Sequence, residues 1–450
     1  MRICKYFASM RLLKLVSLFL LLLPSSPVSV SVWPQSGGGA SRARLSNASG
    51  PSGAYNFTCW CLSVTSAPPM TSFGPATSSD EVVYLRLGFS PDGGPLSNSL
   101  LALARAVPPS IGVVPRVRGG AFRVLWNRTS PTDLVSEPRA APALHAASGV
   151  LFYVEESLGV VYALDAATGM ERWNASGLEF SVVAVSPVLS DDGSLLVCAS
   201  SRNVFVLSAS TGSRLWSATI ANDALKFAVS GLALAAHVGA FGEDLVIVSG
   251  IACALAAYDA ASGRSVWNSS DLCAAVAAAR GGGSSGSEED MRSGAVIGDD
   301  MSAGLAFVAL TSDAIVAVNA STGAIAWVFA GVPSPHNASR APALAHGGAR
   351  LYTSVGTDVR GGVVVVAINA VSGREEWRSA ACAGALDEQA DYSLAVGADG
   401  IVYGYCMANE TGNAMAFGVD GATGARVFYA YLGSSIFVPG KVSNRSKATN

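Results

Sequence analysis

The stretch "CWC" at residues 59–61 is the first place in this 450-residue chain where residue types suggest metal or redox chemistry. It lacks the two-residue spacer of a CxxC motif and any nearby histidine, so a structural disulfide is the simpler reading. His145 and His346 follow two copies of "APAL" (141–144 and 341–344), a spacing that could set ligands around an axis. Only those two repeats have one, and His237 and His336 fall elsewhere, so these read as turn or surface histidines. The adjacent carboxylates Glu155 and Glu156, and Asp299 and Asp300, could in principle share acid–base work. Neighbours on a strand or turn point apart or into solvent, which is the plainer expectation. No GxSxG elbow, phosphate-binding glycine loop, CxxCH haem site or DxDxDG calcium loop occurs. The sequence thus names no catalytic, cofactor-binding or metal-ligating residue.

The chain's ends and composition narrow the setting. Arg2, Lys5, Arg11 and Lys14 precede the greasy run "LVSLFLLLL" (15–23) and a small-residue stretch, the pattern of an export signal at 1–31. Removing it takes four of 29 basic groups and no acids, leaving 25 against 32, a net charge of −7. Without a basic stripe, nucleic-acid binding is not expected. Residues 32–65 read as a flexible Gly/Ser-rich segment and 441–450 as a tail. Nine Asn-X-Ser/Thr sequons, at Asn47, Asn56, Asn127, Asn174, Asn268, Asn319, Asn337, Asn409 and Asn444, fit a glycoprotein that is secreted or resides in the secretory lumen. In that oxidising setting Cys253–Cys273 and Cys382–Cys406 are attractive pairs, although spacing leaves the connectivity open, and Cys59, Cys61 and Cys198 remain.

Between 66 and 440 the text is a series of apolar runs of four to seven residues, separated by Gly, Asp and Ser turns, with no helical spacing sustained over three turns. Trp126, Trp173, Trp216, Trp267, Trp327 and Trp377 lie 47, 43, 51, 60 and 50 residues apart, and Phe428 takes the next place 51 further on. That period suits four short strands with their turns, one blade of a β-propeller. The 60-residue interval holds an acidic insertion at 280–294, read as a flexible surface excursion. Proline-bearing "APAL" and "SPVL" runs suit narrow innermost strands with a free edge.

The third strand of each repeat enters one recurring turn. Asp165, Asp259, Asn319, Asn369 and Asp420, with Ser208 more weakly, can fold a side-chain acceptor back onto backbone N–H groups. Gly169, Gly212, Gly263, Gly323, Gly373 and Gly424 follow, in the place where a positive φ is wanted, and the aromatic residue always comes four residues later. Each indole is expected to pack over a small residue of the third strand and wedge against the neighbouring blade, a burial that contributes about 3 kcal/mol.

These residues, "AxDxxTGxxxW" with its variants, resemble the docking repeat of the pyrroloquinoline-quinone-like β-propeller superfamily over roughly 66–433. The resemblance implies an all-β propeller of seven four-stranded antiparallel blades, with eight as the alternative if "SSIFVPG" (434–440) pairs with N-terminal strands such as "YNFTCW". The superfamily includes quinoprotein dehydrogenases, whose quinone sits with calcium at the propeller centre, usually against a ring of adjacent cysteines. This chain has no adjacent cysteines and none of the cofactor motifs, so it is read as a non-catalytic member without cofactor, binding a protein or glycan partner as a monomeric propeller. The alternative is oxidation of an alcohol or sugar with pyrroloquinoline quinone and calcium.

Overall fold

A computed structural model describes residues 70–77, 82–89, 96–105, 122–134, 140–155, 158–178, 185–200, 202–220, 229–250, 253–269, 271–281, 291, 294–311, 313–331, 342–356, 362–383, 394–408 and 413–434. These form seven four-stranded antiparallel sheets in chain order, the pattern of a seven-bladed β-propeller. Sheet 1 begins at Met70–Thr77 and ends with Phe122–Leu134; sheet 2 runs from Ala143–His145 to Glu171–Ala175. Sheets 3 to 7 end with Arg214–Thr219, Ser265–Ser269, Ile325–Phe329, Glu375–Ala383 and Arg426–Ser434. The eighth-blade candidates at 434–440 and 55–60 lie outside the described residues, apart from Ser434 itself.

Second and third strands form the core of each sheet because both of their faces are covered. Val150–Glu155 is buried throughout, as is Leu245–Gly250, while the outermost strands alternate between partial burial and exposure. Five of the first strands are two or three residues long, such as Val188–Leu189 and Ala343–Leu344, and first strands of neighbouring sheets approach each other.

The fourth strands carry the device that joins one sheet to the next. Within a sheet the aromatic residue faces a small partner across the ladder: Trp126 opposite Ala102, Trp173 opposite Ala163, Trp216 opposite Val206, Trp267 opposite Ala257, Trp327 opposite Ala317, Trp377 opposite Ala367 and Phe428 opposite Gly418. Immediately on the turn side of every one of these pairs the register shifts by a β-bulge. One extra residue strengthens the local twist and re-aims the next side chain, here the indole, out of its own sheet.

The indole then reaches the following sheet's turn. Trp126, Trp173, Trp216, Trp267 and Trp327 donate Nε1–H to the carbonyls of Ala166, Ala209, Ala260, Ala320 and Ala370 at 2.8–3.1 Å, and Trp377 donates to Gly421 at 3.3 Å. The N–H of each of those residues is bonded in turn to the end of its own first-to-second loop, for example Ala260 N to Asp244 O at 2.8 Å and Ala320 N to Gly304 O at 2.7 Å. That residue therefore uses both backbone groups, and its side chain is nearly or wholly buried, so only Ala or Gly fits. The turn glycine completes the seat: Gly323 has φ +72°, and a Cβ there would lie 2.5 Å from Trp267 Cε3. Phe428 occupies the same cross-strand place but its ring has no N–H to donate.

Side-chain acceptors hold the turns in shape. Asp259 Oδ1 accepts from Ser262 N at 2.7 Å and Ser262 Oγ at 2.6 Å, and Asp420 treats Thr423 likewise. Asn319 and Asn369 do the same work with a neutral amide oxygen. Donation from Arg172 and Thr168 holds Asp165 below the usual carboxylate range, and the Ser262 and Thr423 hydroxyls do the same for Asp259 and Asp420.

Two features depart from the sequence-based picture. A helix, Leu272–Ala279, follows the fourth sheet; its eight residues are too few to show three turns of periodicity, and Leu272 and Val276 are its buried positions. The expected excursion at 280–294 is anchored at both ends: Arg280 donates Nε and Nη2 to Ala330 O at 3.0 and 2.6 Å, and Met291 is fully buried. Residues 282–290 lie outside the described part.

Replacing Trp267 with Ala should cost about 3–5 kcal/mol in equilibrium unfolding, whereas Trp173→Phe, which removes the donated bond and keeps most of the packing, should cost about 1–2 kcal/mol. No measurable loss in Trp173→Phe would show that the indole N–H contributes nothing beyond the ring. The turn carboxylates have folded pKa values below their unfolded ones, so their stabilisation is complete above the ordinary aspartate range, near about 4, and is lost as pH falls through the depressed values. Asp259→Asn keeps the acceptor, as Asn319 and Asn369 do, and should flatten the acid side of a melting-temperature profile.

Candidate functional site

Two places combine polar or exposed side chains in a built setting. The first lies between sheets 1 and 2. Arg86, in the second strand of sheet 1, is 1% exposed, and Glu155, at the end of Val150–Glu155, is 2% exposed. Their nearest atoms are 3.5 Å apart, and Arg86 Nη1 also donates to Val154 O at 2.6 Å. Of the two expectations for this carboxylate pair, pointing apart or into solvent, burial of Glu155 removes the second for that residue. A lone arginine inside the apolar run "VVYLRLGF" and a glutamate ending "VLFYVE" were the available signals, but nothing in one chain said that two separate strands would face each other.

An aromatic stack extends the cluster. Tyr153 and Tyr162 pair across sheet 2 with ring centroids 5.1 Å apart and planes at 15°. Arg86 lies over Tyr153 at 5.9 Å, and Arg128, from the outer strand of sheet 1, lies over Tyr162 at 4.6 Å. Arg128 also meets Glu171 at 2.8 Å. Two arginines of one sheet thereby hold two stacked tyrosines of the next, with carboxylates beside both cations. Burial pushes the Tyr153 hydroxyl well above the usual phenol range, so it stays neutral. Arg86 and Glu155 are closed to solvent and join two sheets, while Arg128 and Glu171 remain partly exposed at the rim of the cluster.

The second place is the end of the sheets that bears the recurring turns and the first-to-second loops. Those loops carry Asp191, Asp192, Glu243, Asp244, Asp299, Asp300 and Asp399, together with His237 and His346. Neighbouring loops touch: the His145 ring lies over Gly193, and Met301 N donates to Gly347 O at 3.3 Å. His145 Nδ1 is 2.7 Å from Ser148 Oγ, while the exposed His237 is 3.3 Å from Asp244. Among the described residues no three His, Cys, Asp or Glu side chains converge to hold a metal ion.

The loop at 236–244 is the most elaborate of this end. Glu243 Oε2 accepts from Phe241 N at 2.8 Å, Asp244 Oδ1 accepts from His237 N at 2.8 Å, and Gly239 N donates to Glu243 O at 3.0 Å. Held in this way, the loop presents Phe241 with 94% of its surface in water. On the next sheet the corresponding loop presents Met301, 68% exposed. Sequence reasoning missed both, because an isolated apolar residue in a loop has no periodicity to mark it.

The remaining sequence-derived positions divide clearly. Cys253 and Cys273 form a disulfide that ties the helix Leu272–Ala279 to the loop before the third strand of sheet 4. Cys198 is a free, buried thiol whose pKa is raised by that burial. Cys382 and Cys406 lie in strands of sheets 6 and 7, but their side chains, and all of Cys59, Cys61, Asn337 and Asn409, lie outside the described residues. Asn127, Asn174 and Asn268 are exposed on fourth strands, and Asn319 sits in a turn.

Residues 123–300, 202–384 and 253–435, together most of the chain, match the PQQ-like repeat family described as "Outer membrane protein assembly factor BamB". A curated relative, the serine/threonine-protein kinase AfsK of Streptomyces griseus, is 39% identical over 85 residues, which are 18% of this chain and 10% of that protein. This chain therefore spans about a tenth of the relative's length. Among solved structures, a europium-containing methanol dehydrogenase superposes with a TM-score of 0.59 at 12% identity, covering 90% of this chain and 86% of that one. Saccharomyces cerevisiae Sqt1 gives 0.53 at 11% identity, covering 78% and 82%. At such identities the likeness is one of fold.

Truncating Arg86 to Met should cost about 3–5 kcal/mol, because it leaves the Glu155 charge buried without its cation. The double variant Arg86→Met with Glu155→Leu should recover most of that loss. Denaturant unfolding of the three proteins checks it, and additive losses would show that the two groups do not interact.

Proposed function

The chain belongs to the PQQ-like repeat family of the outer membrane protein assembly factor BamB, and from that premise we propose that it is a non-catalytic binding module of the secretory lumen or the cell exterior. Its partner is a protein or a glycan, gripped by the loops at the turn-bearing end. The single observation that carries this reading is Phe241, an aromatic residue at 94% exposure on a loop whose own carboxylates lock it in place. Displaying an apolar ring in water from an ordered loop stabilises nothing in the fold. Aromatic residues of this kind are the usual anchors of binding surfaces, and a pre-ordered loop lowers the entropic cost of association. Export is supported by the basic and apolar leader, the sequons and the Cys253–Cys273 disulfide. Among the described residues no helix is long and apolar enough to cross a membrane.

A second reading is favoured by the likeness in fold to methanol dehydrogenase: oxidation of an alcohol or sugar by bound quinone with calcium. Such a group would need carboxylate and amide donors converging at one point. The binding reading is preferred because the ordered, exposed Phe241 supports it directly.

The two readings separate in one comparison. The full chain incubated with calcium and pyrroloquinoline quinone should show no dye-linked turnover on a panel of alcohols and sugars; turnover would overturn the binding reading. Phe241→Ala should leave the unfolding free energy within about 0.5 kcal/mol. A photoreactive residue at position 241 should cross-link a macromolecule of the secretory pathway that the same residue at Thr168 does not.

A further inference from the structure

We infer that Asn127, Asn174 and Asn268 carry N-linked glycans which shield the open edges of sheets 1, 2 and 4, and that the sequon at Asn319 is instead a structural turn left unmodified. The inference rests on the exported destination proposed above and not on partner binding. Its basis is the place that the structure gives three sequon asparagines. All three asparagines directly follow the docking tryptophan, in Trp126-Asn127, Trp173-Asn174 and Trp267-Asn268, and all three are exposed. Each lies in the fourth strand, which ends the hydrogen-bonded order of its sheet and so, among the described residues, has an edge with no strand beside it. Successive strand residues face opposite ways, so a tryptophan committed to the following sheet turns its neighbour away from that contact.

An open edge strand is a template for pairing with another chain, and proteins blunt such edges by charge, by covering elements or by bulk. Other sheets of this chain use the first two devices. The helix Leu272–Ala279 packs against the outer strand Ile325–Phe329 of sheet 5. The outer strand of sheet 6 places Glu375, Glu376 and Arg378 at its surface, with Arg378 bonded to Glu375 at 2.8 Å. Sheets 1, 2 and 4 each place a sequon asparagine at the matching position, where a glycan would supply the bulk.

The reaction is balanced without redox chemistry. A lipid-linked oligosaccharide diphosphate is the donor; the asparagine Nδ2 bonds to the anomeric carbon, the anomeric carbon–oxygen bond breaks, the lipid diphosphate leaves and one amide proton is lost. Asn174 Nδ2 donates to Glu171 Oε1 at 2.7 Å and keeps one N–H for that bond after substitution. Asn319 differs in every respect that matters. Its Oδ1 accepts from Ser321 N, Ser321 Oγ, Thr322 N and Thr322 Oγ1 at 2.7–3.1 Å, so the sequon hydroxyl of Ser321 is itself engaged. The middle residue of the sequon, Ala320, is fully buried and holds the Trp267 indole.

The test uses the full chain secreted from a eukaryotic host. The protein is treated with the amidase that converts a glycan-bearing asparagine to aspartate, and its peptides are mapped by mass. Conversion at Asn127, Asn174 and Asn268, with Asn319 unchanged, is the expected result. An unconverted rim asparagine, conversion at Asn319, or a chain that is never exported would each overturn the inference. For the shielding role, the triple variant Asn127→Gln, Asn174→Gln, Asn268→Gln should lose three glycan-sized mass steps and self-associate at a concentration where the parent is monomeric by light scattering. Thr129→Ala, Ser176→Ala and Ser270→Ala together remove the sequons while keeping the asparagines, so the conclusion does not depend on the glutamine variant folding. A glycan-free protein that remains monomeric would remove the shielding role.

Discussion

One contact governs the architecture: an indole from the outer strand of one sheet donating its N–H to a backbone carbonyl in the next sheet's turn. Four-stranded sheets of this size have two faces to cover and cannot bury both alone. The indole covers part of the next sheet, and its single donor sets the angle at which it does so. The accepting residue is bound on its other side to the first-to-second loop, so each indole pins two connections of the neighbouring sheet at once. Everything else at the turn, the side-chain acceptor, the positive φ of the glycine and the small hub residue, serves to hold that carbonyl where the indole can reach it.

Sheets 1 and 2 add a second kind of joint. Sheet 1 donates Trp126 like the others, but its own third-to-fourth connection does not carry the repeated turn, and it contributes Arg86 and Arg128 instead. The buried charge of Arg86 is tolerable because a carboxylate and a carbonyl meet it and an aromatic face lies beside it. Such a pair contributes specificity of docking more than net stability, since both ions lose their water. At the other end of the series Phe428 keeps the cross-strand place of the docking residue without an N–H to donate.

A chain whose repeat positions are so fully committed to joining sheets has its individual character in the loops and on the outer edges. The loop at 236–244, the disulfide-tied helix and the exposed asparagines are all departures from the repeat, although the helix sends Leu272 and Val276 into the core. Function in such a protein is carried by what the repeat does not constrain.

The all-β class, the blade period and the turn chemistry were legible in the sequence because they repeat: an acceptor, a glycine and an aromatic residue at constant spacing require the same local structure each time. The place of Phe428 in the series was legible for the same reason. Three things were decided only by the tertiary structure. The carbonyl that each indole meets belongs to a residue roughly forty to fifty positions away in the chain, and no local pattern marks a backbone acceptor, although the run of Ala166, Ala209, Ala260, Ala320, Ala370 and Gly421 was its trace. The pairing of Arg86 with Glu155 depended on two sheets being brought face to face. The helix at 272–279, too short for its period to speak, is defined by what it packs against and by the Cys253–Cys273 bond, contacts that exist only once the chain has folded.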